Sequence, residues 1–159
     1  MSDETSGYEM AVKKLPELKA LTVRMLTTLE NVNRDIFAKF VILYDHITAR
    51  GGNADDFFTL NHDVIFNPES MDVEVCISVD EPVEDGADVS MRTVLGGSFA
   101  YVIHKGPYSG ISDAIAALSA KMEERGLVPC GPMRERYMND PDEVAPEELL
   151  TEVMFPVES

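Results

Sequence analysis

The sequence predicts an α+β domain built from two copies of a β-α-β-β unit. Two amphipathic helical segments, at residues 31–50 and 109–125, are each preceded by one strand-like stretch and followed by two more. The same order of elements returns about 75 residues later, as the glycines Gly51 and Gly126 that follow the helical segments show. Two such units related by a pseudo-two-fold axis would form an antiparallel sheet of about eight strands with two main helices packed on it.

Both helical segments have the three-to-four-residue apolar spacing of an amphipathic helix. The buried stripe predicted for the first consists of Ile36, Phe40, Tyr44 and Ile47, and that of the second consists of Ile111, Ile115, Leu118 and Met122. Glycine ends each segment, because it adopts the left-handed conformation at the end of a helix at little cost. Each helix is therefore expected to pack one face on a sheet.

Strand-like segments surround the two helices at matching places. They are residues 19–26, 57–66 and 72–79 in the first half and residues 98–104, 133–138 and 150–157 in the second. The polar and acidic stretch 80–92 is predicted to be a linker. The chain is thus expected to be a single domain, residues 1–159, made of two repeats at about 8–80 and 92–157.

The charge of the chain excludes some classes of partner. Its 159 residues include 29 acidic and 13 basic side chains, which give a net charge of −16. Sequence-independent binding to nucleic acid needs clustered cations, and so does docking on an anionic membrane, so neither is expected. The N-terminus lacks a secretory signal, and the chain is expected to be cytoplasmic. With two cysteines and three histidines in no zinc-binding spacing, no metal or other cofactor is expected.

Three segments of the second half carry a resemblance to a known family. They read YVIHKGPY at 101–108, GPMRERYMNDPDEV at 131–144 and EELLTEVMFPV at 147–157. In these segments the chain resembles the GyrI-like small-molecule-binding family, which occurs as stand-alone proteins and as the effector-binding domain of AraC-type and multidrug-sensing transcriptional activators. The resemblance implies a tandem β-α-β-β fold with a ligand pocket between the repeats, and a regulator or DNA gyrase as possible protein partner.

The sequence departs from that family in two respects. It has no Trp, whereas relatives often carry one near the end of the second helix, so the shape of the pocket is expected to differ. Only about 15 residues precede the first predicted strand, which leaves no room there for a helix-turn-helix. Direct binding to DNA is therefore not expected from the sequence as it stands.

Glu152 is the first candidate ligand-binding residue. Strict alternation places it on one face of its strand with Met154 and Pro156, and a carboxylate among apolar side chains needs a partner or a ligand cation. The resemblance implies that the matching glutamate lies in the pocket and pairs with cationic ligands. The alternative is a solvent-exposed strand residue. His104 could act with it as an acid or base, but it is expected at the surface of its strand.

Three tyrosines are the other candidate ligand-binding residues. Tyr137 ends the RERY segment, and Tyr101 and Tyr108 flank the turn that precedes the second helix. Their rings suit flat or amphipathic ligands through stacking and cation–π contact. The resemblance implies pocket positions for Tyr137 and Tyr108. Glu74, the counterpart of Glu152 in the first repeat, is expected to be a surface residue that supports the fold.

Three hypotheses about function follow. The first is a non-catalytic module that binds lipophilic, cationic small molecules as a sensor, effector-binding or sequestering protein; a negative surface would concentrate such cations. The second, implied by the resemblance, is a hydrolase of cyclopropanoid toxins in which Glu152 is the base and Tyr137 its orienting partner. The third is a module that binds another protein, as a gyrase inhibitor does.

Overall fold

The computed structural model describes residues 7–158, which form two compact units. The N-terminal unit comprises residues 17–95, and the C-terminal unit comprises residues 7–16 together with residues 96–158. Each unit contains one long helix and four antiparallel strands. The predicted α+β class and the tandem β-α-β-β repeat are therefore confirmed.

The elements follow one another in the predicted order, with one additional strand at the start of the chain and one in the middle. In chain order they are β1 (Ala11–Leu15), β2 (Leu18–Thr27), α1 (Val32–Ala49), β3 (Ala54–Asn61), β4 (Met71–Val79), β5 (Ser90–Val94), β6 (Gly97–Lys105), α2 (Ile111–Glu124), β7 (Met133–Tyr137) and β8 (Leu150–Val157). Short 3₁₀ turns at Tyr108–Gly110 and Pro146–Glu148 precede α2 and β8.

The two units share one strand order. It is β3-β4-β2-β5 in the N-terminal unit and β7-β8-β6-β1 in the C-terminal unit. The fourth strand of each sheet comes from outside the β-α-β-β segment, since β5 follows the first repeat and β1 stands at the start of the chain. The sequence did not predict β1, and the stretch 80–92, predicted as a linker, supplies the first residues of β5. Both strands have only five residues, most of which are exposed, and neither shows an alternating apolar pattern that would reveal it in the sequence.

Each helix packs on one face of its own sheet. In the C-terminal unit, Leu118 and Met122 of α2 join Val102 and Val153 in a buried cluster, and the predicted stripe of this helix is confirmed. In the N-terminal unit, α1 buries Leu43 and Ile47, and its partly buried residues Val32, Ile36 and Phe40 pack against the same cluster. None of the helices within residues 7–158 is long and apolar enough to cross a membrane.

Two local predictions for the N-terminal unit differ from the structure. Tyr44 of α1 is exposed, whereas Leu43 is fully buried, because the helix is rotated slightly from the predicted stripe. The strand predicted at 57–66 ends at Asn61, whose side-chain oxygen accepts a 2.9 Å hydrogen bond from the backbone N–H of Asp63. This local bond favours a turn and takes the chain out of the sheet.

Candidate functional site

Glu152 lies on the face of its sheet that α2 does not cover. Its neighbours on β8, Thr151 and Val153, point to the helix side, where Val153 belongs to the core of the unit. Glu152 stands opposite Arg136 of β7 and Ile103 of β6. Only 2 % of this glutamate is exposed, so its carboxylate cannot rely on water and needs partners from the protein or a ligand.

Two cations neutralise the Glu152 carboxylate. The Lys13 ammonium donates to Oε2, and Arg136 Nε donates to Oε1 at 2.9 Å. Burial raises the pKa of the Glu152 carboxyl, but the hydrogen bonds from Lys13 and Arg136 outweigh it and hold the pKa below its usual value. The carboxylate is thus ionised at neutral pH, and its charge is already balanced.

Lys13 is held by an aromatic ring as well as by the carboxylate. Its Nζ lies 4.2 Å from the centroid of the Tyr101 ring, which is the geometry of a cation–π contact. On the same strand face, the Arg134 guanidinium lies 4.6 Å from the centroid of the Phe99 ring. The structure therefore brings two predicted site residues together, because Tyr101 and Glu152 contact the same ammonium group.

Glu74 has a comparable environment in the N-terminal unit. Arg92 donates to its two oxygens at 2.6 Å each, and His62 Nε2 lies 2.8 Å from Oε1. Burial raises the pKa of the Glu74 carboxyl, but these hydrogen bonds dominate and lower the pKa to about 2. The expectation that Glu74 is a surface residue is wrong: only 4 % of it is exposed, because its face of the sheet also carries the buried residues Leu60 and Cys76.

The main cationic partners of the two glutamates occupy equivalent positions. Lys13 stands opposite Phe99 in the register of β1 with β6, and Arg92 stands opposite Ala20 in the register of β5 with β2. In both units, the residue opposite the cation lies four positions before the residue opposite the glutamate on the same strand. The buried glutamate and its cation on the edge strand are therefore a feature of the repeat.

Tyr137 and Tyr108 belong to a different group of side chains. Tyr137 stands opposite Thr151 and therefore points to the helix side of the sheet, away from Glu152. The rings of Tyr108 and Tyr137 meet edge to face, with centroids 5.8 Å apart. The four predicted site residues thus divide into two pairs on opposite faces, Glu152 with Tyr101 and Tyr137 with Tyr108.

Glu135 joins the tyrosine pair and was missed by the sequence reasoning. Tyr137 Oη donates to its Oε1 at 3.0 Å, and no cation among residues 7–158 pairs with it. Burial raises the pKa of the Glu135 carboxyl, and the hydrogen bond from Tyr137 lowers it only in part. The sequence signal that could have identified Glu135 is its spacing from Tyr137, because residues two apart on a strand share a face.

His104 is buried, although it was expected at the strand surface. Tyr8 Oη donates to its Nδ1 at 2.9 Å, and its Nε2 donates to the carbonyl oxygen of Pro107 at 2.9 Å. A Cβ at Gly110 would lie 2.8 Å from the imidazole Cε1, so the turn before α2 closes tightly over the ring. His104 therefore connects β6 to this turn and does not reach Glu152.

A surface cleft of about 420 Å³ lies elsewhere in the C-terminal unit. It is lined by Tyr8, Glu9, Met10, Lys121, Glu124 and Arg125. None of the predicted site residues lines it. Within residues 7–158, no group of three or more His, Cys, Asp or Glu side chains has the geometry to hold a metal ion.

The fold defines the class of protein. Each of the two units has one helix packed on four antiparallel strands, which is the tandem β-α-β-β architecture that the resemblance implied. The sequence profile of the GyrI-like small molecule binding domain matches residues 8–158, and the chain belongs to this family. A sequence search of curated proteins gives no significant match.

Solved structures with the same fold include a DNA-bound protein. The C-terminal domain of EcmrR is 26% identical, with a TM-score of 0.81, and the match covers 96% of this chain and 98% of that domain. In the EcmrR–DNA complex the identity is 25% and the TM-score 0.87, over 96% of this chain and 58% of the other. The chain therefore spans somewhat more than half of that longer relative.

Two further structures show the same fold at lower identity. A hydrolase from Listeria innocua is 16% identical, with a TM-score of 0.68 over 94% of this chain and 92% of that one. SAV2435, solved with bound tetraphenylphosphonium, is 13% identical, with a TM-score of 0.62 over 95% and 94% of the two chains. At these identities the likeness concerns the fold alone.

Proposed function

We propose that this protein binds lipophilic small molecules that carry a single positive charge, and that it senses or sequesters them. The observation that carries the proposal is the place of the Lys13 ammonium, between the Glu152 carboxylate and the Tyr101 ring. A buried carboxylate with an aromatic ring beside it is the chemistry that recognises an organic cation. The net charge of −16 favours the approach of such ligands.

Two relatives support this reading. SAV2435 was solved with tetraphenylphosphonium, a lipophilic cation, and EcmrR, whose C-terminal domain this chain resembles, was solved on DNA. A sensor of this kind would pass ligand binding on to a transcriptional regulator. For this chain, the regulator would be a protein partner or another segment.

Tetraphenylphosphonium and its neutral analogue triphenylphosphine oxide test the proposal by calorimetric titration. We expect wild-type protein to bind the cation, and Glu152→Gln to weaken binding by at least tenfold, because the ligand loses its counter-charge. Glu148→Gln, which removes an equal charge from an exposed surface pair, is the matched control. Circular dichroism checks that each variant is folded, since Glu152→Gln removes the negative charge that Lys13 and Arg136 contact.

Two results would contradict the proposal. Equal affinity for the cation and the neutral analogue would show that the charge is not recognised. Equal affinity of the wild type and Glu152→Gln would remove Glu152 from the site.

A second candidate function is hydrolysis, and the contact between Glu135 and Tyr137 favours it. The earlier hypothesis used Glu152 as the base, yet the two cations that lower the pKa of Glu152 make it a weak base, and Tyr137 lies on the other face. Glu135 has the raised pKa that suits general acid–base work and contacts Tyr137 directly. Water would add across a cyclopropane carbon–carbon bond, giving hydroxyl to one carbon and a proton to the other.

A panel of cyclopropane-containing compounds with chromatographic detection of the ring-opened product tests the second candidate. We expect Glu135→Gln and Tyr137→Phe each to abolish turnover if the protein is a hydrolase. Tyr44→Phe, at an exposed tyrosine of α1, should leave turnover unchanged. No product from the wild type across the panel leaves binding as the function.

A further inference from the structure

The site proposed above already contains a cation that belongs to the chain. Lys13 extends from β1, at the edge of the sheet, and its ammonium contacts Glu152 on β8 with β6 between the two strands. Two strand spacings amount to about 10 Å, so the side chain must extend to reach the carboxylate. Resting on the proposed function, we propose that Lys13 is a tethered occupant of the cation site, which a ligand must displace in order to bind.

The comparison with the N-terminal unit shows which cation can be exchanged. Arg92 holds Glu74 through two hydrogen bonds, one to each oxygen, and this paired geometry fixes the side chain firmly. Lys13, at the equivalent position, offers a single ammonium group on a flexible stem and contacts one oxygen of Glu152. The repeat thus carries a locked pair in one unit and an exchangeable pair in the other.

The other partner of Glu152 stays in place when Lys13 leaves. Arg136 stands directly opposite Glu152 in the register of β7 with β8, and it bonds the oxygen that Lys13 does not use. Withdrawal of Lys13 therefore frees Oε2 and the face of the Tyr101 ring together. A ligand cation would find a carboxylate oxygen and an aromatic face where the ammonium had been.

The exchange has a consequence for the ligands that can bind. One positive charge replaces another, so the charge balance of the site does not change, and the net gain must come from the apolar groups of the ligand. Lys13 has a side chain that is 31% exposed, so its ammonium can move to water when it is displaced. The site should therefore select lipophilic monocations and disfavour hydrophilic ones such as tetramethylammonium.

Removing the ammonium without shortening the side chain much tests the proposal. We expect Lys13→Met to bind tetraphenylphosphonium at least tenfold more tightly than the wild type, because the ligand no longer competes with an internal cation. Lys14→Met is the matched control: it removes the same charge from the neighbouring residue of β1, which is exposed and points to the opposite face. Its affinity should stay within twofold of the wild type.

Lys13→Arg tests the same idea with the charge retained. A guanidinium at this position can bond the carboxylate in the way that Arg92 bonds Glu74, and we expect ligand affinity to fall several-fold. This variant keeps the ion pair, so it also provides a test if Lys13→Met does not fold.

The outcomes separate the two proposals. Absence of tetraphenylphosphonium binding by the wild type would overturn the proposed function and, with it, the role of Lys13. Binding by the wild type with unchanged or weaker affinity in folded Lys13→Met would overturn the role of Lys13 alone. If Lys13→Met is unfolded, unchanged affinity in Lys13→Arg would do the same.

Discussion

The carboxyl groups of Glu74 on β4 and Glu135 on β7 have pKa values that their surroundings shift in opposite directions. Burial raises the pKa of both, but Arg92 and His62 bring that of Glu74 down to about 2, whereas the hydrogen bond that Glu135 accepts from the Tyr137 hydroxyl lowers its pKa only in part. Glu74 thus contributes stability that is present above its unfolded pKa, near 4.5, and is lost as the pH falls towards 2. Glu135 has the opposite dependence.

Glu135 should lower the stability of the protein at neutral pH. Because the folded state raises the pKa of this carboxyl, Glu135 does not reduce stability below about pH 4.5, the pKa of the unfolded chain. The free energy of unfolding then falls as the pH rises through the folded pKa of Glu135. We therefore expect Glu135→Gln to raise the free energy of unfolding at pH 7, because the amide cannot ionise and no charge has to be held in the buried site.

Urea denaturation at pH 7 and pH 4 measures this effect. The gain should shrink towards zero at pH 4, where Glu135 is mostly protonated in both the folded and the unfolded state. Glu143→Gln at an exposed acidic position serves as the control for removal of one negative charge. A loss of stability at pH 7 would mean that the Glu135 carboxylate has a stabilising partner.

At the scale of single elements, the turn before α2 depends on the fit between His104 and Gly110. The backbone of Gly110 has a φ of −90°, which any residue adopts, so a side chain there is opposed only by the imidazole. We expect Gly110→Ala to lower the free energy of unfolding by about 1–3 kcal/mol through overpacking. Gly7→Ala, with no atom within 4 Å of the added Cβ, should change little in a thermal denaturation experiment. Equal melting temperatures for Gly110→Ala and the wild type would show that His104 can move aside.

The elements that the sequence predicted are those with a strong periodic pattern. Both helices and the six strands of the two repeats follow from apolar spacing, because each buries one face in a core. The edge strands β1 and β5 bury little and are specified by pairing with β6 and β2, which a single sequence does not display.

The candidate site was predictable in part for the same reason. Alternation along β8 correctly placed Glu152 and Thr151 on opposite faces of the strand, since successive residues of a strand alternate between its two faces. The register between strands cannot be read in this way, and it is the register that places Tyr137 opposite Thr151 and on the other face from Glu152. Lys13 was not identified as a site residue because its strand, β1, was not predicted.

At the scale of the whole molecule, the excess of acidic residues should act on ligand binding through its long-range field. With a net charge of −16, the protein attracts cations over a distance that shrinks to about 8 Å at physiological salt. We expect the affinity for tetraphenylphosphonium to fall several-fold between 0.05 and 0.5 M NaCl, because the screening length decreases from about 14 Å to about 4 Å over this range.

Titration of triphenylphosphine oxide over the same salt range is the control, because a neutral ligand does not sense the field. A salt-independent affinity for the cation would restrict recognition to the immediate contacts of the site. The alternative of a gyrase-inhibiting protein contact stays a prediction, and a supercoiling assay with the purified protein tests it.

The place of β1 in the chain has a consequence for dissection of the protein. Residues 17–95 contain all four strands and the helix of their unit, whereas residues 96–158 contain three of the four strands of theirs. A fragment cut at residue 96 would leave the edge of β6 unpaired and prone to self-association. A synthetic peptide of residues 8–16 added to that fragment would restore the edge and deliver the Lys13 ammonium with it. Titration with this peptide would then complete the sheet and place a competing ammonium at Glu152 in the same binding step, so that the peptide itself acts as a ligand of the cation site.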